Sequence, residues 1–387
     1  MTPEEKRVDD HATLLKAATN TYSIPMVGTA RKELAKQAGG DATDPKTVAA
    51  LMVEQRKSFL EGIPQGYRVV ADVADSTTSG LKLYYLEPTS LFPDKPRILA
   101  IAGTEKWLDW YGNATWGVLK RETPAYRHFL DLIEGDLLKG KKVQVTGHSL
   151  GGGIAQYMGY DVAKRLDAVS KSPAPPGVVR KTTAQMLENL EVVTWNSFGV
   201  EQALRRNPAD YDKDLLAALA PRMTHYRTPY DAVSKLGEPT GTRVTLPSTG
   251  WWGVGATHAT GNLDEAAITL GGLETAVPYI PWMRSRPVTN AIVRLLEPVG
   301  RYLTQAHMKS HSKDDMAALL AAREAWVKEG LVDSYRLDPW LSNEINELVE
   351  AESTARPQIG LRMLQDRRNL ESWLHQLQFE RLRSRPH

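Results

Sequence analysis

The chain has 387 residues, 42% hydrophobic and 24% charged, with a formal net charge of +2 and no cysteine. That length and balance suit a large globular domain with attached segments. The near-neutral charge argues against nucleic acid as a partner, and the missing thiol excludes cysteine nucleophiles, disulfides and thiolate metal sites.

Residues 1–66 read as helical, with amphipathic pieces near 10–19, 29–38 and 46–61. The first of them follows Met1-Thr2-Pro3-Glu4-Glu5-Lys6, which is acidic and polar with no apolar run behind it, so no cleavable signal peptide is expected. Strand-type segments follow at 67–73 and 81–86, then the continuous apolar run 97–102, the pattern of a buried strand. A helix over 123–138 leads to a strand over 142–146. The segment 166–183, rich in Ser, Pro and Lys, reads as a surface insertion. Strands at 191–196 and 223–227 come next. Strands alternating with helices predict an α/β fold with a mainly parallel sheet and helices on both faces. Residues 232–305 change character: they are rich in Gly, Pro and Trp and read as a cap or lid insertion. From 314 onward the pattern is helical and charge-dense, ending in a basic tail. The expected organisation is therefore a helical appendage over 1–66, an α/β core over 67–231, a cap over 232–305, and a C-terminal helical region over 306–387. No apolar stretch approaches the ~18 residues of a membrane span.

One motif carries chemistry. Gly147-His148-Ser149-Leu150-Gly151 joins the strand ending near 146 to a small-residue helix. A serine at the apex of a strand–turn–helix stands clear of the sheet edge. The amide after it, that of Leu150, points where an oxyanion would develop. The neighbours two residues either side must be small for the turn to close. The blander reading is a glycine-rich structural turn; the flanking strand and helix favour the nucleophile. Gly103-Thr104 follows the buried strand, in position for the second oxyanion donor. The acid should follow the nucleophile at a strand end, in the order Ser…Asp…His, and Asp231 satisfies this; Asp210, Asp212 and Asp214 are rivals in a polar loop. Three histidines follow the acid: His258, His307 and His311. His307 and His311 have helical i,i+4 spacing, but neither the glutamate of a zinc-protease motif nor a third ligand accompanies them, so no metal is expected. His148 lies within the turn and His225 within a strand.

At these residues the chain resembles the class 3 lipases. Ala102-Gly103-Thr104-Glu105 with Asp109, Trp110 and Asn113 is similar to their Arg-Gly-Thr…Asp-Trp segment, with Ala102 where an arginine is usual. Thr146-Gly147-His148-Ser149-Leu150-Gly151-Gly152 is similar to their elbow, and Val193–Val200 resembles the strand and loop that follow. The resemblance spans roughly 97–240. It implies an α/β-hydrolase fold and acyl-ester hydrolysis through Ser149, Asp231 and a histidine, with Thr104 and Leu150 as oxyanion donors and no cofactor. Asp231-Ala232-Val233-Ser234 is similar to the acid loop of bacterial relatives, and His311-Ser312-Lys313-Asp314 to their base-bearing helix start; His258 is the alternative base. Asp109, Trp110 and Asn113 would brace the oxyanion loop.

Trp251, Trp252 and Trp282 lie between acid and base, where exposed aromatics would suit a lid meeting lipid; a packed cap is the competing reading. The expected partners are a lipid or phospholipid substrate and a membrane surface. A lipase-like core with helical flanks and no leader also resembles bacterial phospholipase effectors delivered by type VI-like machines, which would add a secretion apparatus and an immunity protein. The rival classes are an intracellular carboxylesterase or thioesterase, and a non-catalytic interaction protein that kept the fold.

Overall fold

The computed structural model describes residues 3–25, 27–37, 41–74, 81–103, 124–173, 181–205, 211–228, 231, 233–235, 237, 239–246 and separate positions between 318 and 331. Two compact units divide them. One holds the described residues up to Tyr22, those from Ile63 to Asp72, and those from Lys82 to 246. The other holds Ser23 to Gly62, the short piece around Val73 and Leu81, and the positions from 318 on.

The first unit is an α/β fold on a seven-stranded mixed sheet. In chain order the strands are β1 (Tyr67–Ala74), β2 (Lys82–Pro88), β3 (Arg97–Ile101), β4 (Val143–His148), β5 (Leu190–Trp195), β6 (Met223–Arg227) and β7 (Thr242–Thr245), and they lie side by side in that same order. β2 and β3 are antiparallel; every pairing from β3 to β7 is parallel. The run expected over 97–102 is β3, whose residues from Ile98 to Ile101 are buried, and β4 is buried from end to end. Both sides of such strands are covered, which is why they read as unbroken apolar runs rather than alternating ones.

Side chains alternate across a sheet, so contacts assign its faces. On one face, Glu191 and Trp195 of β5 and Tyr226 of β6 meet α1 (Pro3–Asn20). His11 bonds the Tyr226 hydroxyl at 2.7 Å and the Glu191 carboxylate at 3.0 Å, and the Trp195 and Tyr226 rings stack at 4.6 Å. His11, Leu14, Leu15 and Ala18, spaced as one helical stripe, are all buried. The Tyr84 hydroxyl of β2 donates to the Ala17 carbonyl at 2.7 Å, fixing the end of the same helix. The other face belongs to α5 (Leu150–Lys171), packed on β4 and β5 beside α4 (Pro124–Leu138). A Cβ added at Gly159 of α5 would stand 2.7 Å from Val192, so the helix axis runs close to β5.

Two elements differ from the sequence expectation. The stretch from 166 is not an insertion at its start: α5 continues to Lys171, with Leu166 buried and Lys171 paired to Asp167 one turn back at 2.6 Å. The polar residues that suggest a loop there are the exposed side of a helix; residues 174–180 lie outside the described residues. Next comes α6 (Thr183–Leu187), opened by a capping box between Thr182 and Gln185. The second difference is β7, a strand of four residues inside the Gly/Pro-rich stretch that sequence assigns to the cap. Four residues between Gly241 and Leu246 are too few for a periodicity signal. Two further helices, α7 (Glu201–Arg205) and α8 (Lys213–Leu219), link β5 to β6.

In the second unit α2 (Val27–Leu34) packs with α3 (Pro45–Glu61). Asp44 caps α3 by accepting from the amides of Lys46 and Thr47. The buried Arg56 guanidinium lies 5.0 Å from the Phe59 ring and 5.2 Å from the Trp326 ring, and donates to the Leu331 carbonyl. Cation–π contact and hydrogen bonding together make that burial tolerable. Among the described residues no helix is long and apolar enough to cross a membrane.

On the α5 face a directed polar chain ties the parallel strands. His225 of β6 has its Nε2 2.6 Å from the Thr240 carbonyl. A carbonyl only accepts, so Nε2 carries the proton, and Nδ1 accepts from the Thr194 hydroxyl at 2.7 Å. Thr194 then accepts from Ser197 at 2.7 Å, and Ser197 from the Gln156 amide at 3.2 Å. Burial pushes the His225 pKa down from 6.5 to about 4; the Thr240 carbonyl opposes the shift and the Arg243 charge adds to it. The folded state therefore refuses a proton that the unfolded chain takes below about pH 6.5. Stability is full above that pH and falls between pH 6.5 and 4, by up to about 3 kcal/mol. Urea melts at pH 7.5, 6, 5 and 4.5 should show that loss, and His225→Gln should flatten the decline over this window.

Candidate active site

The C-terminal ends of β4, β5 and β6 are level: His148 is opposite Trp195, and Trp195 opposite Tyr226. Each strand delivers its next residues to one edge of the sheet. Ser149 follows β4, Asn196 follows β5, and Thr228 with Asp231 follow β6. In an open parallel sheet this edge is where function gathers.

Ser149 has φ 58° and ψ −124°, a left-handed conformation that ordinary residues avoid. Strain of this kind costs on the order of 1–3 kcal/mol and persists only where the surroundings over-determine it. Here the surroundings are the glycines. A Cβ at Gly147 would lie 2.4 Å from the Gly151 backbone, and one at Gly151 would lie 2.2 Å from the Ile101 carbonyl oxygen of β3. Turn, helix start and neighbouring strand thus touch backbone to backbone. Gly152 and Gly153 press the first turn of α5 onto Ser197 and Phe198 in the same way, where added Cβ atoms would lie at 2.4 and 2.2 Å. The Ser149 amide donates to the Trp195 carbonyl at 2.9 Å. Leu150, the expected amide donor to an oxyanion, is the first residue of α5 and its side chain is buried, so its backbone forms the helix start beside the serine.

Gly103, the residue before the other expected donor, lies against Ser149. A Cβ there would come within 3.1 Å of the Ser149 Cβ, 2.8 Å of the His148 carbonyl oxygen and 2.5 Å of the Tyr22 hydroxyl. The loop that leaves β3 therefore starts beside Ser149. Thr104 itself, with Asp109, Trp110 and Asn113, lies outside the described residues.

Asp231 is fully buried. Its carboxylate accepts from the amides of Ser234 at 2.8 Å and Val233 at 3.2 Å, so a tight turn after β6 holds it. The rival Asp212 is committed elsewhere: it caps α8 by accepting from the Leu215 amide at 2.9 Å. Asp214 lies in the first turn of that helix, and Asp210 is outside the described residues. His148 and His225 are both engaged, His148 through Nδ1 with the Tyr22 hydroxyl at 2.8 Å and His225 in the chain above. The proposed base His311, its alternative His258, His307, and the aromatic residues Trp251, Trp252 and Trp282 lie outside the described residues. The structure thus brings Ser149, Leu150, Gly103 and Asp231 to the end of one sheet and says nothing of the rest. Among the described residues no group of three or more His, Asp or Glu is placed to hold a metal ion.

Residues 98–192 match the family model for class 3 lipases. The class 3 lipase match covers β3, β4 with the Ser149 turn, all of α5, and the first residues of β5. It stops before Asp231. No curated protein matches the chain. Solved structures similar to it include a mutant form of MDLA from Penicillium cyclopium, at 13% identity over 73% of this chain and 94% of that one, with a TM-score of 0.38. A Rhizomucor miehei lipase–propeptide complex is similar at 14% identity over 64% and 70%, with a TM-score of 0.34. Lipase II from Rhizopus niveus is similar at 15% over 62% and 81%, with a TM-score of 0.32.

Sequence reasoning passed over Tyr22 and Asn196. Tyr22 carries no signal, because a tyrosine just past an amphipathic helix is ordinary. Asn196 stands within the segment that resembles the family, but nothing in the sequence distinguishes it from a loop asparagine.

The packing at the turn predicts the effect of a single methyl group. Gly151→Ala sets a side chain against backbone that cannot swing away, and overpacking of that kind costs about 3 kcal/mol. Calorimetry should show a lowered Tm, whereas Gly135→Ala, where a Cβ meets nothing within 4 Å, should leave Tm unchanged or slightly raised.

Proposed function

We propose that this chain is a serine hydrolase that cleaves the acyl esters of lipids. The observation that carries this reading is the strained turn at Ser149, held at the end of β4 and the start of α5 by glycines on which an added Cβ would strike neighbouring backbone. Such a turn places a hydroxyl at the sheet edge, here buried, and aims the next amide at the atom where charge develops. The class 3 lipase match over the same residues supports ester hydrolysis.

In the proposed mechanism Ser149 Oγ attacks the ester carbonyl while a histidine takes its proton. The tetrahedral oxyanion is held by the amides of Leu150 and Thr104. The histidine returns the proton to the departing alcohol, and water then releases the acyl group by the same steps in reverse. His311 is the proposed base and His258 the alternative. Asp231, buried and fixed by two amides, orients the imidazole and stabilises its charged form. Delivery as a bacterial phospholipase effector, with an immunity partner, belongs to the same proposal and rests on the resemblance of the elbow and flanking helices alone.

Two experiments test it. A fluorophosphonate should label Ser149 and no other serine. Ser149→Ala should lower turnover of a p-nitrophenyl ester by roughly 10³–10⁶. His311→Ala should match that loss and add little when combined with it, because the groups act as a unit. An inactive His258→Ala beside an active His311→Ala would reassign the base. The second experiment concerns residues 232–305. Trp251→Ala/Trp252→Ala should weaken binding to phospholipid vesicles by about tenfold or more, since each tryptophan offers a large apolar surface, while hydrolysis of a short soluble ester stays unchanged. Equal loss of both activities together with Tm would make the pair core residues.

A further inference from the structure

We infer that Asn196 is a positioning residue that sets the placement of Asp231 relative to Ser149; the inference rests on the serine hydrolase reading above. Three observations support it. First, Asn196 and Ser149 are the two non-glycine residues with positive φ among the described residues, and Asn196 has φ 45°. Asparagine enters this region more readily than most side chains, yet the region remains unfavourable and a glycine would enter it freely. The chain keeps a side chain here, so the side chain has a task.

Second, that side chain is fully buried and its oxygen accepts from the Thr228 amide at 2.8 Å, with the Thr228 hydroxyl at 3.4 Å. β5 and β6 are paired up to Trp195 and Tyr226, and the Asn196 amide adds one more ladder bond, to the Tyr226 carbonyl at 2.8 Å. Beyond that the backbones part. The Asn196 side chain replaces the missing ladder bond and carries the pairing to Thr228.

Third, a continuous path of hydrogen bonds and peptide links results. The Ser149 amide donates to Trp195, the residue before Asn196, at 2.9 Å. Thr228 donates to the Asn196 side chain, and the Asp231 amide donates to the Thr228 carbonyl at 3.3 Å. Thr228 and Asp231 are both buried. The Ser149 turn is tied to the Trp195 carbonyl and the Asp231 turn, through Thr228, to the next residue, Asn196, whose left-handed backbone turns its side chain from the β5 end toward the β6 end. A separate brace keeps the loops together without Asn196: Gly237 lies so close to Gly199 that a Cβ on it would stand 2.2 Å from the Gly199 carbonyl oxygen.

The test uses the full chain with Asn196→Gly, which suits the left-handed backbone and deletes only the side chain, and Asn196→Asp, which keeps an acceptor oxygen. Readouts are Tm, fluorophosphonate labelling of Ser149, kcat and KM on a short p-nitrophenyl ester, and the pH profile of kcat/KM. Displacement of a catalytic group by about 1 Å costs up to about 100-fold. Asn196→Gly should therefore stay folded, lose between about 10-fold and 100-fold in kcat with KM within twofold, and shift the acidic limb of the profile to lower pH. That shift follows because a histidine that loses its carboxylate partner becomes easier to deprotonate. Asn196→Asp should recover most of kcat. Wild-type kcat and profile in Asn196→Gly, loss of its fold, or an Asp variant as slow as the Gly variant would each overturn the positioning role. A wild-type chain that neither labels at Ser149 nor cleaves an ester overturns the hydrolase reading instead.

Discussion

The approach of Gly151 to the end of β3 governs the rest of the molecule. With an added Cβ only 2.2 Å from the Ile101 carbonyl oxygen, the N-terminus of α5 is as close to the sheet as backbone can come. A helix that starts there leaves the chain no relaxed way to enter it from β4. The strain falls on Ser149, whose positive φ turns the backbone sharply enough to connect the two. The glycine run 151–153 then lets the same helix press on the segment after β5, so that three strand ends are bound into one edge before any polar contact is considered.

Polar chemistry is layered on that packing with a clear division between faces. The α5 face carries hydroxyls, one amide and a histidine held neutral by burial, joined in a directed chain from Gln156 to Thr240. Each member's donor meets the next member's acceptor, so the low dielectric of the interior strengthens the network instead of penalising it. The α1 face carries ionisable partners instead: His11 between Tyr226 and Glu191, with Gln144 donating to the second oxygen of the same carboxylate at 2.8 Å. These bonds fix the first helix on the sheet and bring its end, at Tyr22, to His148. A segment far from Ser149 in sequence thereby contributes a hydroxyl beside the Ser149 turn.

Much of this was legible in the residues. The strand 97–102, the strand before Ser149, the helix over 123–138 and the strand over 223–227 are recoverable because each has its periodicity and its turn signals within its own span. The Ser149 turn was legible for the same reason: a local motif, with strand before and helix after, encodes a local backbone strain. β7 and the far end of α5 were not legible. A four-residue strand is defined by the neighbour it pairs with, and the polar outer side of a helix resembles a loop once the pattern of its buried side thins out.

By itself the sequence determined the α/β class, the mainly parallel sheet and the apex serine, since each depends on interactions between residues close along the chain. Tertiary structure alone decided which aspartate is buried and held by a tight turn and which one caps a helix, because Asp212 and Asp231 are chemically alike and differ only in what folds around them. It alone decided what Tyr22, His11 and Asn196 touch. Their partners lie 126 and 215 residues away for Tyr22 and His11, and 32 residues away for Asn196. No local pattern can encode such a separation; only closure of the sheet and docking of α1 bring those atoms within hydrogen-bonding distance.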